Sequence, residues 1–145
     1  MFVDASVIVA ILGREPDRLD LIERLERHRD GFFVSPLVRY EAAQALARKK
    51  IAQPHGKSAP RKPTREEVEL AGQAVQSFIL GLGAEEVAIT SEIGTLAVAA
   101  SARYGKAVGH PADLNFGDCF AYACAKTLGV PLAYKGGDFA LTDLA

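Results

Sequence analysis

Apolar residues along this chain fall into two kinds of run. Short consecutive blocks alternate with longer stretches in which they recur every three or four positions. Met1-Phe2-Val3 is apolar and stops at Asp4, which reads as a buried strand at the very start. Ser6 to Leu12 continues as a short helix ended by Gly13. Leu19, Ile22 and Leu25 lie at helical spacing within Asp17 to His28, and Gly31 ends that stretch. Phe32-Phe33-Val34 is a second strand, Ser35-Pro36 a helix start, and the helix runs from about Leu37 to Lys50. Gln53 to Thr64, rich in Pro, Gly and Lys, predicts an exposed, mobile loop inside the domain. Thr64-Arg65-Glu66-Glu67 has the form of a capping box and opens a helix to about Leu82. Val87-Ala88-Ile89 is a third strand, and Ser91 to Tyr104 an alanine-rich helix closed by Gly105. A loop from Gly109 to Gly117 leads to an apolar helix, Asp118 to Leu128, closed by Gly129. Pro131 to Tyr134 is the last strand, followed by the turn Lys135-Gly136-Gly137-Asp138. Strands alternating with helices predict one α/β domain over residues 1–145 with a largely parallel sheet.

Composition narrows the class. With 49% hydrophobic and 24% charged residues, the 145-residue chain has the balance of a globular domain. No apolar run approaches the roughly 20 residues that span a bilayer, and Asp4 interrupts the start where a signal peptide would be basic and then apolar. The expected location is the cytoplasm. Cys119 and Cys124 fall in one helix and point in different directions, so they are expected to be buried free thiols; no zinc-type spacing accompanies them. The net charge is −1, but its distribution is uneven: seven of the 17 Lys and Arg residues lie between Arg48 and Arg65, with no acid among them. Phosphate contacts by Lys57, Arg61 and Lys62 would suit this stretch, as would a merely solvated loop.

Four carboxylates sit where packing alone does not want them. Asp4 follows a buried strand, at the strand end that lines the functional crevice of open parallel sheets. Asp138 lies just beyond the last strand and can share that edge. Asp118 opens the most apolar helix, whose N-terminal dipole favours a negative group. Glu41 falls inside the apolar stripe Leu37, Val38, Ala42, Ala45 and Leu46 of its helix, with no partner nearby in sequence. Each aspartate alone fits a helix N-cap; caps do not account for Glu41 or for three acids on one sheet edge. A shared cation does, because clustered carboxylates repel without one. All-oxygen ligation selects a hard ion, Mg²⁺ or Mn²⁺.

These residues resemble a known family. Phe2-Val3-Asp4-Ala5-Ser6, then Tyr40-Glu41, then Leu114-Asn115-Phe116-Gly117-Asp118-Cys119, then Tyr134-Lys135-Gly136-Gly137-Asp138-Phe139, in this order and spacing, are similar to the PIN-domain ribonucleases. Within them the match is to the VapC-like toxins of bacterial toxin–antitoxin pairs, from Met1 to about Leu144. The resemblance implies a three-layer α/β/α sandwich and a Mg²⁺- or Mn²⁺-dependent endoribonuclease acting on structured RNA such as tRNA or rRNA. It implies Asp4, Glu41, Asp118 and Asp138 as the acidic quartet, with Asp4 and Asp118 as the direct metal ligands. Ser6 would border the site, and Asn115 would orient a ligand or water. It also implies a small VapB-like antitoxin as partner. The expected assembly is a homodimer, since closed symmetric dimers are the commonest oligomers. The basic loop over residues 53–64 exceeds what compact members need.

The chemistry expected of such a site is hydrolysis of a phosphodiester, with a cation activating water and offsetting charge on phosphate and leaving oxygen. No histidine sits in a triad context and no Walker-type loop is present. Two other classes compete. A phospho-acceptor receiver domain is also a small α/β fold, but it wants adjacent acids after the first strand, and here Ala5 follows Asp4. A non-catalytic RNA-binding module would use the basic loop and leave RNA intact.

Overall fold

The computed structural model describes residues 1–52 and 61–144. Four short strands form one parallel sheet: β1 (Phe2–Val3), β2 (Phe33–Val34), β3 (Glu85–Glu86) and β4 (Leu132–Ala133). Their order is β3-β2-β1-β4. Among the described residues six helices flank it: α1 (Ala5–Leu12), α2 (Arg18–Arg27), α3 (Pro36–Ala52), α4 (Arg65–Leu82), α5 (Ser91–Tyr104) and α6 (Phe116–Leu128). Parallel strands require crossover connections, and the helices supply them.

Strand order decides where a site can form. The chain builds the sheet outward from β1 through β2 to β3, then returns to place β4 on the other side of β1. Phe2 pairs with both Phe33 and Leu132, and Val3 with Ala133. The order therefore reverses between β1 and β4, and a crevice opens beyond the carboxyl ends of strands at such a point. Asp4 is the residue there: its N–H donates to the Ala133 carbonyl at 2.9 Å.

The core is apolar and continuous. Phe2, Val3, Val7, Ile8, Val34, Leu46, Val75 and Leu114 are fully buried, which anchors β1, β2, α1, α3 and α4 to one another. Capping follows the sequence closely. The Thr64–Glu67 box opens α4 in both directions, and Gly83 (φ 66°) and Gly129 (φ 64°) end α4 and α6 in the left-handed conformation that glycine accepts without strain.

Several expectations shift. The third strand is Glu85–Glu86, not Val87–Ile89; only the Val87 N–H still reaches the Val34 carbonyl. An edge strand with exposed side chains carries no apolar run to mark it. In α2 the buried residues are Leu21 and Leu25, while Leu19 is 65% exposed; both registers fit the leucine spacing, and packing selects one. In α3 the fully buried stripe is Val38, Ala42, Ala43, Leu46 and Ala47, with Leu37 and Ala45 half-buried. Helix α6 begins at Phe116, capped by Asn115, so Asp118 is its third residue and does not open it. Cys119 and Cys124 are buried and free, as expected. Much of the basic loop lies outside the described residues.

Candidate active site

Helices α1, α3 and α6 converge on the end of β1 around an open cavity of about 380 Å³. Its wall includes Asp4, Ser6, Glu41, Asn115 and Asp118. Asp4 is 4% exposed and caps α1, accepting from the Ser6 N–H at 2.9 Å and the Ser6 hydroxyl at 2.5 Å. The same Ser6 oxygen accepts the Lys135 N–H at 3.0 Å. Ser6 thus ties the Asp4 carboxylate to the segment leaving β4.

Asp118 and Asn115 form a reciprocal capping box. The Asn115 side-chain oxygen accepts from the Gly117 and Asp118 N–H groups at 2.8 and 3.2 Å, and Asp118 accepts the Asn115 N–H at 2.8 Å. Asn115 therefore holds the helix start that carries Asp118. Glu41 is half-buried and turned toward the cavity; among the described residues it has no hydrogen bond and no ion pair.

The electrostatics are those of charge brought together without compensation. Burial pushes Asp4 above the ordinary carboxylate value despite its hydrogen bonds from Ser6, and the Asp138 charge adds to the rise. Glu41 is pushed up to about 7, first by burial and then by Asp4 and Asp118. Asp118 is pushed up to about 6, first by burial; the Asn115 N–H opposes this, and Asp4 and Asp138 reinforce it.

Asp138 begins a short 3₁₀ turn (Asp138–Leu141) after β4. It is exposed and does not line the cavity, so it acts on the other acids as a nearby charge. Among the basic-loop candidates, Lys57 lies outside the described residues. Arg61 grips Glu67 with two bonds, at 2.8 and 2.5 Å, so its charge is engaged beside the α4 cap. Lys62 is exposed.

Sequence reasoning passed over four residues. Tyr40, Gln44 and Arg48 line the cavity from α3; Tyr40 entered only as Glu41's neighbour and Arg48 only as part of the basic run. Their i, i+4, i+8 spacing was the available signal. The fourth is Gly117. A Cβ there would fall 2.1 Å from one Glu41 carboxylate oxygen and 2.2 Å from the other. Glycine lets the first turn of α6 close over Glu41.

A sequence profile of the PIN domain matches residues 1–144. The chain belongs to the PIN-domain family. A VapC ribonuclease of Rhizobium meliloti is 51% identical to this PIN-domain chain over 146 residues, covering 99% of it and 98% of the relative. Ribonuclease VapC of Mycolicibacterium smegmatis is 34% identical over 145 residues, covering 100% and 98%. These place the chain among the VapC ribonucleases. The crystal structure of Mycobacterium tuberculosis VapC20, a sarcin–ricin loop cleaving toxin, superposes with a TM-score of 0.67 over 96% of this chain and 92% of that one. At 17% identity it speaks for the fold alone. Membership in this family sets the receiver-domain reading aside. No helix among the described residues is long and apolar enough to cross a membrane.

Proposed function

We propose that this chain is an endoribonuclease that hydrolyses RNA phosphodiester bonds with the help of Mg²⁺ or Mn²⁺ and acts as the toxin of a toxin–antitoxin pair. One observation carries the reading. In a chain that aligns end to end with VapC ribonucleases, Asp4, Glu41 and Asp118 converge on one cavity at the sheet's switch point with their charges uncompensated.

The donor set suits a hard cation. Every donor is an oxygen; Asp4 and Asp118 raise the proton affinity of Glu41, and Asp4 and Asp138 that of Asp118, a tension that a cation relieves. Asp4 and Asp118 are the residues to hold the ion, because each is fixed by hydrogen bonds at a helix start. Mg²⁺ usually takes one or two carboxylates and completes its shell with water and phosphate oxygens, so two aspartates suffice to hold it. When bound, the ion supplies Lewis-acid activation of water and offsets charge developing on the phosphate. Glu41, pushed up to about 7 and with no partner among the described residues, is suited to accept or orient the water proton. Ser6 and Asn115 hold Asp4 and Asp118 in place, and Asp138 adds negative potential at the rim.

Structured RNA, tRNA or rRNA, is the proposed substrate class. A VapB-like antitoxin is the proposed restraint, its Arg or Lys entering the acid cavity. Its apolar contact is proposed on the α2 surface around Leu19, Ile22 and Leu25, of which Ile22 and Leu25 line a groove with Phe32, Phe78 and Leu82 and Leu19 does not. A homodimer in the cytoplasm is the proposed assembly.

The test is cleavage of total tRNA and rRNA by purified protein in chelator, then with Mg²⁺ or Mn²⁺ restored, for the wild type and Asp118→Asn. Ion-dependent cutting that Asp118→Asn loses is the expected result. Binding without cutting at any ion concentration would instead favour the non-catalytic RNA-binding module. In cells, the wild type should slow growth, Asp118→Asn should not, and co-expression of the neighbouring upstream gene should relieve the effect.

A further inference from the structure

The cavity that must accept a polyanion is floored by three acids, so beyond a cation those acids hold, attraction to RNA has to come from its walls. Among the described residues that line it, α3 offers the means. Tyr40, Gln44 and Arg48 stand one turn apart along it and all three line the cavity. Eight residues of helix rise about 12 Å, long enough to accompany more than one nucleotide past Glu41.

Each member carries a different chemistry. Tyr40 is 63% exposed. Of the large apolar side chains that stand exposed among the described residues, it is the one that lines the acid cavity. Gln44, half-buried, offers both a donor and an acceptor of the kind that meets a base edge. Arg48 is exposed, and no ion pair among the described residues involves it. The neighbouring α3 cations Arg39 and Lys49 are paired with Glu86 and Glu15.

We infer that the Tyr40–Gln44–Arg48 stripe of α3 is the substrate track of this site, with Tyr40 stacking an unpaired base of the RNA and Arg48 holding a backbone phosphate. The inference rests on the ribonuclease reading and names how that site holds its substrate. Single-stranded RNA is the occupant that fits, because a duplex keeps its base faces inside the stack and offers a tyrosine ring nothing to cover. Aromatic stacking also tolerates any base, so this wall grips unpaired RNA without dictating sequence.

The chain contains no tryptophan, so Tyr40→Trp places a single reporter on the track. In an Asp118→Asn background, where cutting is blocked, a short single-stranded oligoribonucleotide of mixed sequence should quench its fluorescence. The same strand annealed to its complement should quench it weakly, as should inorganic polyphosphate, which carries the charge without bases. Leu80→Trp, on exposed α4 surface away from the cavity, should not respond. In active protein, Tyr40→Ala should raise KM by about 5- to 100-fold, the worth of one stacked base, with kcat within about twofold. Tyr40→Phe should restore KM and Tyr40→Leu should not. Arg48→Ala should weaken binding to all sequences and lower the slope of log affinity against log salt by about one.

Equal quenching by polyphosphate and RNA overturns the stacking role, as does a leucine that serves as well as phenylalanine. Unchanged RNA affinity in Tyr40→Ala, with weaker binding of a co-expressed partner polypeptide, overturns the inference and gives the stripe to that partner. Should the wild type cut no RNA under any condition, the ribonuclease reading falls. The fluorescence titration needs no cleavage and decides the track separately.

Discussion

Two groups of acids lie close to the carboxyl ends of β1 and β4, and they are treated in opposite ways. Glu15 and Asp17, in the turn after α1, are met by lysines. Lys135 bonds both of them, reaching Asp17 at 3.0 Å, and Lys49 of α3 closes on Glu15. Glu15 accordingly lies below its ordinary pKa, held there first by Lys135 and then by Lys49. Among the described residues Asp4, Glu41 and Asp118 receive no such cation, and all three lie above theirs. Lysines were thus available at this end of the molecule: Lys135 is only two residues beyond β4, and its backbone already bonds Ser6. The fold spends them on the turn that joins α1 to α2 and leaves the cavity acids bare. Compensated acids stabilise, whereas bare ones cost stability and are kept for chemistry.

The largest effect should come from breaking the bare group. Asp4→Asn keeps the α1 cap, since asparagine caps as well as aspartate, and removes the most buried charge. RNA cleavage should fall on the order of a hundred- to a thousandfold, the kinetic equivalent of several kcal/mol, while the melting temperature holds or rises. Cleavage of labelled RNA and a thermal melt on the same preparation check both halves. A fall in both would mean that Asp4 is structural, like Glu15.

Gly117→Ala should separate stability from activity more gently. Alanine in a helix gains roughly 0.5–1 kcal/mol over glycine, but its Cβ would displace the Glu41 carboxylate. We expect a drop in kcat of about tenfold with unchanged or higher unfolding temperature. An enzyme as active as the wild type would show that the position of Glu41 is not critical.

The pH dependence sharpens the contrast further. Glu41 and Asp118 have folded pKa values of about 7 and about 6, against roughly 4 in the unfolded chain. A carboxyl raised on folding binds its proton more tightly in the native state. Its contribution is fully present below the unfolded value and lost as pH rises through the folded one. Without divalent ions the protein should therefore lose stability between about pH 4 and 7, and Glu41→Gln should flatten that loss. Mn²⁺ should restore stability at pH 8 more than at pH 5. Glu15 works in the opposite sense: its depressed pKa supports the fold above the unfolded value and is lost on acidification. Melts from pH 4 to 8, with chelator and with Mn²⁺, resolve the two.

The smallest effect belongs to the compensated group. Glu15→Gln leaves Lys49 and Lys135 with weaker partners and should cost about 1 kcal/mol, a partly solvated ion-pair network being worth little more. Its RNA cleavage should match the wild type. A large catalytic loss in this variant would mean that the two groups of acids are one site.

The sequence by itself settled the alternation of strands and helices, because burial imposes a period of two or runs of three on strands and 3.6 on helices. It settled several helix ends too, because caps are local chemistry: Thr64 with Glu67, Gly83 and Gly129 act within a few residues, whereas the Asn115 cap of α6 went unread. It singled out Asp4, Glu41, Asp118 and Asp138 as a set of carboxylates that capping alone did not account for, and the order of short motifs pointed to the family. The tertiary structure decided what depends on distance. Nothing local says that β4 returns beside β1, yet that return makes the switch point and brings Asp118 to Asp4. The register of α2, the edge strand at Glu85–Glu86 and the half-buried turn of Glu41 toward a cavity were set by packing against elements far along the chain. So was the division of acids into compensated and bare, because Lys135 lies more than a hundred residues from the Glu15 it neutralises. Periodicity and capping are legible in a window of ten residues. Electrostatic pairing and the opposition of Tyr40 and Arg48 to an acid floor exist only once the chain has closed on itself.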